Sequence, residues 1–398
     1  MIRCLKTDFS CDRENLEKLF ACNRCSALIW NRCLEIGKEY RIKHNGEWIT
    51  KTELQSQTKQ TMPLHSQSIQ AVVHSYCEAR LAAKTAIEQG YKNKYPWRKK
   101  HAYPTLWRSP KGLELNRESG VLSLKLGLWQ KKYKQEPIKV RLPKSTLERL
   151  GSSEIKEITL IWDNRLMLSI CYENGIEAIK SEQGIEAAID LGVIHSISSF
   201  CENGQAIIIT GRLLRSIKRY RSKKLAEIAK KMSKCKKYSQ RWKKLKIAKR
   251  GLLSKLDAQV RDITHKITRS FVDWAVKNKI SKVYVGNVEG VQRKTHKKKS
   301  RSITQQLSQW NFGQQLQYLK YKLEEAGIKL IKISEAYSTQ TCPICGRRHK
   351  ARGRNYRCNC GYQAHRDIHG ARNILSLGKF KHFEYIADIN VIKYLRTA

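Results

Sequence analysis

Four cysteines near the carboxyl end constrain this chain more than any other feature. Cys342-Pro-Ile-Cys345 and Cys358-Asn-Cys360 stand 12 residues apart, a C-x2-C-x12-C-x-C pattern. Four thiolates at this spacing can close a tetrahedron around one zinc ion, with Zn–S bonds of about 2.3 Å. Gly346 and Gly361 each follow a pair, where a knuckle turn needs a backbone free of Cβ. The stretch between the pairs, GRRHKARGRNYR, is too polar to build a core, so a metal is its expected organiser. The alternatives are reduced surface cysteines, or a site in which His349 or His365 replaces one thiolate. The second pair is C-x-C rather than the commoner C-x-x-C, which lowers the specificity of the pattern. Cys22 and Cys25 also form a C-x-x-C, but inside a helical apolar pattern and without a second pair. They read as core, as do Cys4, Cys11, Cys33, Cys77, Cys171, Cys201 and Cys235.

Thirteen cysteines in a secreted chain would suggest disulfides, but the amino-terminal MIRCLKTDFSCDREN has no apolar signal region. Nor does any apolar run reach the roughly 18 residues of a membrane span. The expectation is a reduced, intracellular protein in which tight cysteine spacing means metal. Charge narrows the partner: 79 Lys+Arg against 34 Asp+Glu gives +45, which calls for a polyanion, by default nucleic acid. With 40% hydrophobic residues and 9 Trp the chain is not disordered, and 398 residues suffice for two or three domains.

Along the chain, residues 1–10 offer a short strand. Apolar residues at three- and four-residue steps predict helices over about 12–43 and 66–89. From Tyr95–Pro96 the texture changes to turns and short β-type runs through 180, an all-β unit, plausibly a barrel into which the helices are inserted after its first strand. After the polar linker KSEQG (180–184) an α/β texture begins. Three consecutive strands are expected at 187–193, 196–201 and 206–210. Helical spacing then runs through 212–250, which holds 18 Lys/Arg and one acid, Glu227. Further helices are expected over 252–278 and 310–326, strands over 282–285 and 329–334, and a helix from near Asp367. The tail after Gly378 carries a helical apolar pattern.

Two aspartates stand out. Asp190 stands within an apolar strand, AAIDLGV, where a lone carboxylate is costly unless it meets a cation. Asp367 opens the last helix, with Gly370 and Ala371 a turn later, small enough for that helix to lie close on a sheet. Alone, Asp367 would be a helix cap. Together the two suggest a nuclease site of the RNase H-like kind, where carboxylates hold two Mg²⁺ roughly 4 Å apart.

The IDLG strand, the basic helices, SQW (308–310), YSTQTCPICG (337–346), the cysteine knuckle and HRD…ARNIL resemble the TnpB proteins of bacterial insertion sequences, compact relatives of the type V CRISPR nucleases. The resemblance is dense over 185–376 and looser over 1–180. It implies an α/β plus all-β chain: an RNase H-like RuvC nuclease domain with an inserted zinc knuckle, preceded by a wedge β-barrel interrupted by a helical recognition domain. The expected boundaries are 1–10 (first barrel strand), 11–92 (recognition domain), 93–182 (barrel), 183–339 (nuclease, first part), 340–362 (zinc knuckle) and 363–398 (last nuclease helix and tail). It also implies an RNA-guided double-strand DNA endonuclease with two Mg²⁺ and one structural Zn²⁺. The guide RNA would derive from the transposon end, and a separate transposase could come from the same element. The location would be the bacterial cytoplasm, at the nucleoid. The rival functions are a nuclease-inactive RNA-guided regulator and a transposase acting directly on DNA.

One departure matters. Most of the family ends the middle strand in a catalytic Glu, and here that position is Gly286 in VYVGN. Glu335, at the end of the neighbouring strand, could supply the carboxylate, since adjacent strands lie about 4.8 Å apart. This resembles the rearranged Fanzor-like sites, in which a Glu just before a YTS-type motif takes over. Otherwise Glu289 reaches back from the loop, or the site is incomplete. With Glu335, the expected Mg²⁺ ligands and catalytic residues are Asp190, Glu335 and Asp367. One ion bridged by Asp190 and Asp367 would activate water, and one held by Asp190 and Glu335 would stabilise the leaving 3′ oxygen. Expected nucleic-acid contacts are Trp97, Arg98, Lys99 and Lys100 in an aromatic–cationic stretch, Lys218, Arg219, Arg221, Lys223 and Lys224 in the basic helix, and Lys297, Lys298 and Lys299 in the loop.

Overall fold

A computed structural model describes residues 1–175, 177, 184–288, 301–351 and 353–396, with backbone alone at 301 and 302. The chain divides into two units, Met1–Ile176 and Glu177–Ala398.

The first unit begins with β1 (Ile2–Thr7), then three helices, α1 (Arg13–Lys43), α2 (Lys51–Thr58) and α3 (Ser66–Glu88). Asp12 caps α1 by accepting from the Asn15 backbone N–H at 2.6 Å. A reciprocal Thr50–Glu53 capping box starts α2. This T-x-x-E signature was present in the sequence, and the helix it marks was not expected. After an irregular passage come β2 (Thr105–Arg108), β3 (Leu113–Leu115), β4 (Val121–Leu124), α4 (Leu128–Lys132), β5 (Ile138–Arg141), α5 (Lys144–Leu150), β6 (Glu154–Trp162) and β7 (Leu166–Glu173). The strands form two antiparallel sheets, β1-β7-β6-β2 and β3-β4-β5, tied by a bridge between Ser10 and Arg141. Alternating burial, as in β5 (Ile138, Val140 in; Lys139, Arg141 out), turns one face of each sheet toward a core shared with α1 and α3.

The second unit opens with an antiparallel meander, β8 (Ile185–Asp190), β9 (His195–Cys201) and β10 (Gln205–Thr210). Two long helices follow, α6 (Arg212–Ser233) and α7 (Gln240–Lys277), then β11 (Ile280–Gly286), α8 (Arg301–Ser308), α9 (Phe312–Glu325) and β12 (Lys329–Ile333). The short strands β13 (Asn355–Arg357) and β14 (Gln363–His365) form a hairpin, and α10 (Arg366–Phe380) and β15 (Val391–Leu395) complete the unit. The six-stranded sheet runs β12-β11-β8-β9-β10-β15, with β11 and β12 parallel to β8. The seven residues of β9 are all buried because both faces of the sheet are covered. On one side Ile263, Ile267 and Phe271 of α7 and Leu319 of α9 pack on Ile189 and Val285. On the other, Ile368, Ala371, Ile374 and Leu375 of α10 pack on Ala188, Phe200 and Tyr284.

The tail departs from the expected helix. After α10 ends in a left-handed Lys381, the chain turns back and β15 joins the sheet edge parallel to β10. Trp310, expected to open a helix, lies between α8 and α9. Among the described residues no helix is long and apolar enough to cross a membrane.

Candidate metal and nuclease centre

Sheet topology puts the carboxylates together. Asp190 is the last residue of β8, in the middle of the sheet. Glu335 lies two residues beyond β12, whose partner across β11 is the end of the same layer, Gly286 opposite Ile333. A Cβ at Gly286 would stand 2.9 Å from Glu335 Cβ and 3.2 Å from its Cδ, so the side chain of Glu335 fills the space that any residue but glycine would need. Asp367 is in the first turn of α10. That helix approaches through Gly370, where a Cβ would lie 2.7 Å from Asp190 Oδ2 and 3.1 Å from Thr339 Cγ2. The small residue expected to allow close packing does so directly over the aspartate.

The electrostatics are those of a site short of positive charge. Burial, with the negative charges of Asp367 and Glu335, pushes Asp190 up to about 7, against a smaller pull from Arg366. Burial also raises Glu335. Asp190 and Asp367 line a cavity of about 510 Å³ together with His195, Thr339, Arg354 and Arg366. Asp367 Oδ2 accepts from His195 Nδ1 at 2.6 Å and from Arg354 Nη1 at 3.3 Å. Neither His195 nor Arg354 was anticipated. A single histidine starting a strand carries no spacing signal toward an aspartate 172 positions away. Glu289 and Lys297–Lys299 lie outside the described residues.

The cysteine quartet also converges. Sγ of Cys342 is 3.6 Å from Sγ of Cys360, and Sγ of Cys345 is 3.5 Å from Sγ of Cys358. Tetrahedral zinc with Zn–S of about 2.3 Å sets sulfurs about 3.8 Å apart, so all four fit one ion. Gly346 and Gly361 have φ of +68° and +92°, the left-handed turns expected of them. The Arg347 backbone N–H, directed at Cys345, draws its thiol down to about 7, toward the thiolate a metal requires. His349 is turned away, its Nε2 2.7 Å from the Arg357 carbonyl oxygen. The intervening hairpin also has packing contacts of its own. Tyr356 is fully buried and stacks on His369 of α10 at 3.8 Å, and Tyr362 Oη reaches His369 Nδ1 at 3.2 Å. The loop is thereby anchored to the helix that carries Asp367.

The expected nucleic-acid contacts divide. Trp97 is 67% exposed with the Arg98 guanidinium 5.2 Å from its ring centre, a combination open to stacking. Lys99 pairs with Glu35 at 2.8 Å and Lys100 lies over Trp30. On α6, Arg219 and Lys223 are exposed beside a pocket lined also by Gln305 and Gln309. Lys218 is committed to the protein: its Nζ donates to the Gln309 carbonyl and lies over Trp310, and burial lowers it to about 8. Arg221 faces Asp257 at 3.5 Å and Lys224 faces Glu227 at 2.8 Å.

Known proteins resemble this chain in sequence and in fold. Residues 169–292 match the family model described as "Probable transposase" (OrfB_IS605), and 312–374 match "Cas12f1-like, TNB domain". The CRISPR-associated endodeoxyribonuclease Cas12f1 of Sulfoacidibacillus thermotolerans is 33% identical over 29% of this chain, but over only 27% of its own length. "Putative RNA-guided DNA endonuclease InsQ" of Escherichia coli K12 is 26% identical over 73% of this chain and 72% of its own. The TnpB-like protein MJ0751 of Methanocaldococcus jannaschii is 28% identical over 44% of this chain and 63% of its own. Among solved structures, a Cas12f1–sgRNA–target DNA complex aligns with a TM-score of 0.64 at 15% identity, covering 91% of this chain and 83% of the other. At that identity the likeness speaks for a shared fold.

Proposed function

We propose that this chain is a member of the TnpB family and an RNA-guided double-stranded DNA endonuclease encoded by a transposable element. The six-stranded sheet would be a RuvC-type nuclease domain, the cysteine loop a zinc knuckle inserted before its last helix, and the two small sheets of the first unit a wedge barrel. The observation that carries the nuclease reading is the convergence of Asp190, Glu335 and Asp367, with Asp190 raised to about 7 by burial first and by the charges of the other two second. Carboxylates crowded so are stabilised by divalent cations.

Two Mg²⁺ held by these three residues would supply an activated water and a stabilised leaving oxygen. The protein's own part is positional. The ends of β8 and β12 fix Asp190 and Glu335 on a rigid sheet. Helix α10 sets Asp367 over them through Gly370, and His195 orients the Asp367 carboxylate. Arg354 and Arg366 line the same cavity and suit a phosphodiester backbone. One tetrahedral ion on Cys342, Cys345, Cys358 and Cys360 would lock the hairpin that stacks on α10.

The test is cleavage of a matched plasmid by the protein purified with its RNA. Glu335→Ala is expected to lower the rate on the order of 10²–10³-fold, as loss of one preorganised electrostatic group does, while Glu289→Ala keeps it. The reverse pattern would move the third carboxylate to Glu289. A wild-type protein that binds its target and never cuts it would make it a regulator.

A further inference from the structure

Beside the carboxylates stands a group that a two-Mg²⁺ centre does not require. His195 is 6% exposed, and its Nδ1 lies 2.6 Å from Asp367 Oδ2. Its other nitrogen, Nε2, has the Tyr394 hydroxyl at 3.5 Å, and such a partner is what orients a metal-bound imidazole. His365 directly precedes α10, its ring centre 5.4 Å from that of His195. His365 Nδ1 is buried and has no hydrogen-bond partner. One donor atom from each of His195, His365 and Asp367 falls within 4.8 Å of the others. Three separate segments are needed to build this: the start of β9, the end of β14 and the first turn of α10.

If His195 served only to orient Asp367, the buried, unpartnered nitrogen of His365 in the same cluster would go uncompensated, and an unmet buried polar atom is costly. A cation accounts for both rings. Two imidazoles and a carboxylate on one side of an ion suit Mn²⁺, Fe²⁺, Co²⁺ or Zn²⁺, whereas Mg²⁺ takes oxygen and retains water. The Arg354 guanidinium, 3.3 Å from Asp367 on a side chain 46% exposed, can swing outward to admit the ion.

We propose that His195, His365 and Asp367 form a nitrogen-containing subsite at the edge of the nuclease centre, one that binds Mn²⁺ and related transition ions in preference to Mg²⁺. The proposal rests on Asp367 facing the nuclease cavity as a metal ligand.

The experiment is pulsed EPR on the full chain with its copurified RNA, titrated with Mn²⁺ alone. The expected result is ¹⁴N modulation from directly bound imidazole. In a His195→Gln/His365→Gln variant that modulation should vanish and Mn²⁺ affinity should fall by about 10-fold or more. Glutamine keeps a donor beside Asp367, so a purely orienting histidine would be rescued by it, and far-UV circular dichroism shows whether the variant folds. Modulation absent from the wild type overturns the proposal. So does modulation that persists in the variant, which would come from RNA bases or other histidines. Plasmid cleavage in Mg²⁺ is read separately on the wild type. Cleavage without the nitrogen signal sinks the subsite and leaves the nuclease standing, while the nitrogen signal without cleavage does the opposite.

Discussion

Gly286 and Glu335 are a steric pair. With the Glu335 side chain in place a Cβ at 286 stands 2.9 Å from Glu335 Cβ, closer than real Cβ atoms come. One carboxylate can occupy the space, from either strand. Gly286→Glu alone should therefore displace Glu335 and reduce cleavage, and Gly286→Glu with Glu335→Ala should recover part of it. A double variant as inactive as Glu335→Ala would mean that the position, not the carboxylate, is what matters. Asp190 gives a pH prediction whose sign follows from linkage. Its carboxyl is raised in the fold to about 7, from about 3.9 in an unfolded chain, so the folded state holds its proton longer. The stability this contributes is complete below about pH 4 and is lost as pH rises through 7. In buffer without divalent ions the melting temperature should fall between pH 5 and 8, and Asp190→Asn should flatten that slope and raise the melting temperature at pH 8. An unchanged slope would place the strain elsewhere. Asp190 and Asp367 were readable because each sits where its chemistry breaks the local pattern, one in an apolar strand and one opening a helix. His195 and Arg354 were not, since what makes them matter is a fold that brings together residues far apart in the chain.

At the scale of elements, α10 joins the carboxylate cluster and the cysteine cluster. Its first turn carries Asp367 and, at His369, meets the tyrosines of the cysteine loop, and its glycines set its distance from the sheet. Gly378 lies on the Tyr284 ring, where a Cβ would meet ring atoms at 2.5 Å. Gly378→Ala gains helix propensity of up to about 1 kcal/mol yet overpacks, at a cost of about 1–3 kcal/mol. Net destabilisation in urea unfolding is the expected outcome, and a stabilised variant would show that the helix can lift without loss. The central strands were legible because burial on both faces leaves continuous apolar runs such as AIIIT. The tail was misread as helix because IADINVIKYL satisfies helical spacing as well as extended pairing. What decides for β15 is the free edge of β10, which no local pattern records. The helix expected over 310–326 is α9, beginning two residues later at Phe312, whereas the short α8 before it was not expected.

For the whole molecule the governing quantity is the charge of +45. Pairing within the protein uses some of it: Lys99, Arg221 and Lys224 already face carboxylates. Exposed pairs of this kind contribute little to stability and are screened by salt, so these side chains can still turn to phosphate. Lys218 differs, being half-buried against Trp310 with its ammonium on a carbonyl. The two classes separate in a salt titration. If six to ten phosphates are neutralised, guide-RNA affinity should fall about 10³–10⁵-fold between 50 and 200 mM salt. Lys223→Ala should lower the salt slope by about one while leaving the melting temperature unchanged. Lys218→Ala should lower the melting temperature and leave the slope nearly as it was, because its charge answers to Gln309 and Trp310 before any phosphate. A flat salt dependence of the wild type would mean that the guide is held by shape and stacking, with Trp97 the first side chain to remove.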